Sequence, residues 1–104
     1  MAGFARKIEG VPRTTVVELH GEYDVARSEE LDHILDRYGD TEPLAFDLHG
    51  VESIDTSAVR SLVRFQRARK EAGRTPIVLL KPSAAVRRFI DKVQLDHAFE
   101  IRDD

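Results

Sequence analysis

The chain has 104 residues, enough for one domain around a single core, and its charges are mixed: 16 Lys and Arg against 19 Asp and Glu, a net charge of −3. That balance gives no basic face for nucleic acid, and the absence of cysteine removes thiol chemistry, disulfides and cysteine-ligated metals. No stretch nears the ~20 apolar residues that span a bilayer, and Met1 to Lys7 has no apolar core behind a basic start. The expectation is a cytoplasmic protein, without membrane insertion or secretory leader, forming a single domain over residues 1–104.

Phe4 to Ile8 is a short, weak strand candidate. Gly10-Val11-Pro12-Arg13 is expected to break it before the β-branched run Thr14 to His20, which forms a second strand. The short break predicts an antiparallel hairpin with the first strand at a sheet edge. Gly21 is read as the end of the second strand, with Glu22, Tyr23 and Asp24 in the loop beyond it. Ser28, followed by Glu29 and Glu30, opens a helix with an acidic first turn. Its inward stripe is Leu31, Ile34, Leu35 and Tyr38, and Gly39 closes it. Asp32, Asp36, Asp40 and Glu42 make its outer side and exit acidic.

Leu44, Phe46 and Leu48 alternate with Ala45 and Asp47 as a strand of period 2, and Gly50 is expected to release that strand from the sheet. From Ala58 the apolar spacing changes to Ala58, Leu62, Phe65, Ala68 and Ala72, the inward stripe of a helix from about Ser57 to Ala72 closed by Gly73. Arg60, Arg64 and Arg67 follow one another along its exposed side. Thr75 to Leu80 reads as an unbroken apolar strand stopped by Pro82, and Ser83 caps a third helix with Val86, Phe89, Ile90 and Val93 turned inward. Ala98 to Ile101 is the last strand candidate. This alternation predicts an α/β domain with a mixed sheet of about five strands, mostly parallel, and helices mainly on one face.

Asp55, Thr56 and Ser57 fall at the start of the second helix, where unpaired N–H groups carry partial positive charge and accept a capping oxygen or a phosphoryl group. The plain alternative is a capping cluster and nothing more. Loops that follow consecutive parallel strands gather at one sheet edge, which brings Asp24 and Asp55 together near Thr56, while Asp47 precedes its strand end. A phosphoaspartate site of the receiver type needs paired acidic residues after the first strand and a lysine after the last. Here Asp24 stands alone and Lys81 follows the fourth strand. His20, His33, His49 and His97 are too scattered for a metal set, and neither a glycine-rich phosphate loop nor a Gly-x-Ser-x-Gly elbow is present. The expectation is a protein with no catalytic residues, metal or cofactor. The arginine row is either a solvated helix side or, beginning one turn from Thr56, a surface for an acidic partner.

The run Asp47-Leu48-His49-Gly50-Val51-Glu52-Ser53-Ile54-Asp55-Thr56-Ser57-Ala58-Val59 resembles the signature of STAS domains, the family of anti-sigma factor antagonists. In that family an aliphatic-Asp-Leu-Ser-x-Val strand leads to Asp-Ser-Ser-Gly-Leu at a helix start, and the serine directly after the aspartate is the phosphoacceptor. Leu19-His20-Gly21-Glu22-Tyr23-Asp24 is similar to the family's Leu-x-Gly-Glu-Leu-Asp, and Lys81 to Phe89 to its third-helix entry. Two departures stand out: Thr56 replaces the commoner serine, and Ala58 the usual glycine. The resemblance also implies a fourth, C-terminal helix, for which Arg102-Asp103-Asp104 is too short.

What the resemblance implies is a switch controlled by phosphorylation. Thr56 would be the phosphoacceptor, with Ser57 second, and Asp24, Asp55, Ser57, Arg60 and Arg64 would dock the partner. That partner is an anti-sigma factor serine/threonine kinase, with a phosphatase as a further candidate. Similar STAS domains also serve as cytoplasmic accessory subunits of lipid or anion transporters, or as scaffolds of stress-sensing assemblies, and the resemblance leaves those roles open.

Overall fold

The computed structural model describes residues 5–11, 14–93 and 99–103. Phe4, Pro12, Arg13, His97 and Ala98 lie outside them, as does the side chain of Val93. The elements in chain order are β1 (Ala5–Val11), β2 (Thr14–Tyr23), a 3-10 turn (Val25–Arg27), α1 (Ser28–Arg37), β3 (Leu44–Ile54), α2 (Thr56–Glu71), β4 (Val78–Leu80), α3 (Ala84–Val93) and β5 (Glu100–Arg102). Among the described residues the strands lie side by side in chain order. Four of them, β2 to β5, run parallel, and β1 joins β2 antiparallel at the edge. Gly10 and Val11 belong to β1 and do not break it: Val11 pairs with Thr14 after a register shift beyond Ile8.

Each parallel pair is joined through a helix, as the alternation of elements requires. Leu31 and Leu35 of α1, Ala58 and Leu62 of α2, and Val86 and Ile90 of α3 meet Val17, Leu19, Leu44, Phe46, Leu48 and Leu79 in one hydrophobic cluster. Phe65 completes it edge-on to Phe46, ring centroids 6.0 Å apart.

Both strands that lead to the helix-start cluster are longer than their glycines suggest. β2 continues past Gly21 to Tyr23, and β3 past Gly50 to Ile54. The register shows why: Glu18 pairs with Asp47 but His20 with Gly50, and Gly21 with Val51 but Glu22 with Ser53, so β3 twice carries an extra residue. Such bulges bend a strand without ending it. They also change which side points inward, and burial passes from Leu48 to Val51, three residues on. Gly21, on β2 opposite the second bulge, takes a positive φ of 89°, which glycine adopts without steric cost. Gly50 is required by close approach, because a Cβ there would stand 2.4 Å from His20 Nδ1.

β4 is shorter than the apolar run Thr75 to Leu80. The amide of Thr75 donates to Glu42 Oε1 at 2.6 Å and that of Ile77 to Gln66 Oε1 at 2.9 Å, so side chains satisfy this backbone before the ladder starts. The far end of α2 departs further from its sequence pattern. Ala68 and Ala72 are exposed, and Arg69 is buried in their stead at 2% exposure. Its Nε and Nη2 donate to Thr75 O at 3.1 and 2.9 Å, and Nη1 donates to Gly39 O and Thr41 O at 3.0 and 2.8 Å. Its guanidinium lies 5.7 Å from the centre of the Phe65 ring. One side chain thus joins the loop after α1 to the loop after α2.

Candidate functional site

β2 and β3 end together, Tyr23 opposite Ile54, and the amide of Asp55 donates to Tyr23 O at 3.1 Å. Asp24 and Asp55 are therefore the first residues of two loops held side by side. A single residue, Asp55, separates β3 from α2. Its extended backbone, φ −126° and ψ −176°, makes it the N-cap, and Asp55 O accepts the first helical bond from Val59 N at 3.1 Å.

One oxygen of the Asp55 carboxylate carries the cap. Oδ1 accepts from Ala58 N at 3.2 Å and from the Ser57 hydroxyl at 2.6 Å. Partial burial pushes its pKa upward, but these hydrogen bonds outweigh burial and hold the carboxyl below its ordinary value. One aspartate thus caps α2 with its side chain and ties it to the end of β2 through its amide.

That arrangement sorts the two adjacent hydroxyls. Ser57 is half-buried and donates to Asp55, whereas Thr56, the first helical residue, is exposed and its hydroxyl has no partner among the described residues. Asp24 is half-buried, and its Oδ1 is enclosed without a hydrogen-bond partner among the described residues. Beside it Val25 is 72% exposed, an unusual position for a large apolar side chain. Asp47 belongs elsewhere: it lies seven residues before the strand end and accepts from His49 N at 2.9 Å.

Arg60, Arg64 and Arg67 are all exposed. Ser57, Arg60, Ser61 and Arg64 face Ser28 and Asp32 across an open cleft of about 540 Å³ between α1 and α2. Arg67 lies further along with Lys70 and Arg74. The helix start and the first two arginines therefore share one side of the molecule, and the third continues the row away from it.

The sequence pattern did not point to Arg27, nor to the further contacts that Ser28 and Ser83 make. Arg27 donates to Glu22 O and to Glu30 Oε2, both at 3.0 Å, and so braces the turn that holds Asp24. Ser28 is the first residue of α1, and its hydroxyl serves the turn, donating to Val25 O at 3.0 Å. Ser83 caps α3 as expected, accepting from Val86 N at 3.3 Å, but also donates to Val51 O at 2.7 Å. An Arg three residues before a Glu is a visible signal for the first of these. The other two depend on tertiary placement. Among the described residues no three His, Asp or Glu assemble as a metal site, and no helix is long and apolar enough to cross a membrane.

The family described as Mlab, STAS domain, matches residues 7–103. The chain belongs to the STAS domain family. None of the curated proteins matches the sequence. Among solved structures, this STAS domain is similar to an anti-sigma factor antagonist from Mycobacterium paratuberculosis, at 21% identity and a TM-score of 0.80, over 99% of this chain and 87% of that one. It is also similar to the anti-sigma factor antagonist SpoIIAA in its unphosphorylated form, at 17% identity and a TM-score of 0.64, over 97% of this chain and 88% of that one. The phosphorylated form of SpoIIAA from Bacillus aligns with a TM-score of 0.63 at 17% identity, over 94% and 90%. At such identities the likeness is one of fold. Against the family pattern, Ala58 of this STAS domain is fully buried, so the methyl group that replaces glycine is core packing.

Proposed function

We propose that this STAS domain is an anti-sigma factor antagonist acting in the cytoplasm. Unphosphorylated, it binds and sequesters an anti-sigma factor serine/threonine kinase; phosphorylation of Thr56 ends the binding, and a phosphatase restores it. The observation that carries this reading is the contrast at the helix start, where Thr56 is exposed and unbonded while Ser57 is tied to Asp55. A hydroxyl offered to a kinase must be accessible and free of competing bonds, and of the two only Thr56 is. The fold likeness supports it, since it extends equally to SpoIIAA with and without phosphate.

The mechanism is electrostatic. A phosphate adds about −1.5 to −2 charges at pH 7, beside Asp24 and Asp55, and the partially positive helix start tolerates it without a change of fold. A partner packed on the same spot, presenting acidic or apolar groups, does not. Arg60 and Arg64 contribute the attraction that the unphosphorylated surface offers such a partner. ATP and magnesium belong to the kinase, and this chain supplies the acceptor hydroxyl and the docking surface. Asp24 and the exposed Val25 flank that acceptor, one as a polar contact and one as an apolar one.

The test is incubation with the cognate kinase and ATP, followed by site mapping by mass spectrometry and binding measurements. One phosphate on Thr56, persistent binding by Thr56→Ala and weak binding by Thr56→Glu are expected. Phosphate on neither Thr56 nor Ser57, or full-strength binding by Thr56→Glu, rejects the switch.

A further inference from the structure

Arg27, Arg74, Arg87 and Arg102 each meet a carboxylate, and Arg69 is held by backbone carbonyls. Arg60, Arg64 and Arg67, like Arg37 and Arg88, are exposed and have no ion-pair or hydrogen-bond partner among the described residues, and of these five only Arg60 lies within one turn of Thr56 on the same helix. Arg60 follows Thr56 by four positions on α2, so the two side chains are surface neighbours with Cβ atoms about 5–6 Å apart. The order matters as well as the spacing, because an anion N-terminal to a cation by four residues is the favoured arrangement on a helix.

We propose that a phosphate on Thr56 is held by Arg60, and that this internal ion pair withdraws Arg60 from the cationic row offered to an acidic partner. The inference rests on Thr56 as the phosphoacceptor and specifies how the modification is read. The added charge acts twice, once by opposing the partner directly and once by taking up the nearest cation of the docking surface. The other charged groups around the helix start do not compete well. Asp55 is already bonded by Ser57 and Ala58, and Asp24 repels phosphate. Asp32, across the cleft, offers Arg60 a single charge, where the phosphate offers nearly two and three acceptor oxygens. Arg64 lies a further turn away.

The experiment uses the full chain with phosphothreonine installed at position 56 by chemical synthesis, in wild-type, Arg60→Gln and Arg60→Lys forms. Phosphorus NMR across pH 4–9 reads the second ionisation of the phosphate. The wild-type midpoint is expected about half a pH unit below that of Arg60→Gln, with Arg60→Lys recovering most of the shift and 1 M salt abolishing most of it. Equal midpoints in wild type and Arg60→Gln overturn the proposal, since the helix start alone then accounts for the phosphate's environment. Circular dichroism confirms that each form is folded, as an exposed substitution allows. Because the phosphate is placed chemically, this outcome is independent of whether a kinase uses Thr56. Kinase mapping to another residue defeats the functional reading, whereas equal midpoints defeat only the ion pair.

Discussion

Replacing Arg69 tests whether this STAS domain depends on a polar clamp within its hydrophobic interior. The side chain makes four hydrogen bonds to three carbonyls, those of Gly39, Thr41 and Thr75. Hydrogen bonds to a charged donor contribute ~1.5–3 kcal/mol each, so four would suggest ~6–12 kcal/mol. Two effects reduce that figure. Thr75 is exposed and Gly39 and Thr41 are half-buried, so water replaces part of what the guanidinium supplied, and truncation also relieves the cost of burying the charge. The expected loss for Arg69→Ala is ~3–4 kcal/mol, against a total stability of ~5–15 kcal/mol for a domain of this kind. Arg69→Lys keeps the charge but lacks the planar fork, and should lose ~2 kcal/mol. Urea melts followed by circular dichroism, with unchanged slope, measure both. The exposed neighbour variant Arg67→Ala should stay within ~0.5 kcal/mol of wild type. An Arg69→Ala protein within ~1 kcal/mol of wild type would refute the clamp.

Asp55→Asn tests the cap through pH. A carboxyl held below its ordinary value in the folded state adds stability above about pH 4, the unfolded value, and loses it as pH falls through the lower folded value, so the gap between wild type and variant should close on acidification. A gap that widens in acid contradicts the hydrogen-bond assignment. Leu62→Ala should cost ~2–5 kcal/mol in a denaturant melt, since Leu62 is 1% exposed, whereas exposed Thr56→Ala should cost under ~1 kcal/mol. Gly50→Ala should destabilise by ~1–3 kcal/mol, and His20→Ala in the same chain should recover part of it; additive losses would show that the 2.4 Å approach is not the cause. Arg64→Glu should weaken binding of the proposed kinase partner at low salt while leaving the melting midpoint nearly unchanged, and equal affinity of wild type and variant would return the row to a solvated helix side.

Much of the core of this domain is legible in hydrophobic periodicity. Leu44, Phe46 and Leu48 of β3, Leu31 and Leu35 of α1, and Ala58 and Leu62 of α2 all reach the cluster their spacing requires. The alternation of elements likewise announces the parallel sheet. Where the pattern misleads, a specific contact explains it. Gly21 and Gly50 read as strand ends because glycine commonly breaks a ladder, yet here one takes a positive φ within the ladder and the other makes room for an imidazole. Arg69 is invisible in the sequence because charge and core are opposites in a hydrophobic pattern, and only the convergence of two loops creates three carbonyls for it to satisfy. Near Thr56, sequence places Asp24 and Asp55 together through the rule that parallel strands end at one edge. The distinction between a free Thr56 and a tethered Ser57 depends on the position of one carboxylate oxygen.

These constraints bear on how a switch could operate in this fold. α2 is fixed at its start by Asp55, whose carboxylate caps the helix and whose amide bonds Tyr23 O at the end of β2, and near its end by Arg69, which joins two loops. Between them Ala58 and Leu62 are packed in the core. A helix held at both ends and along one side has little freedom to shift when a phosphate arrives at its first residue, and the charge does not demand it, because the helix start already favours an anion. In the proposed switch the information must then lie in the surface itself: a hydroxyl replaced by a dianion, and Arg60 drawn from the row toward it. Such a device leaves the interior unchanged and alters only what a partner meets, so amide exchange should slow at the N-terminal turn of α2 upon phosphorylation and stay constant through β3 and β4. Protection changes that spread through the sheet would instead show a conformational switch, and would overturn the surface mechanism.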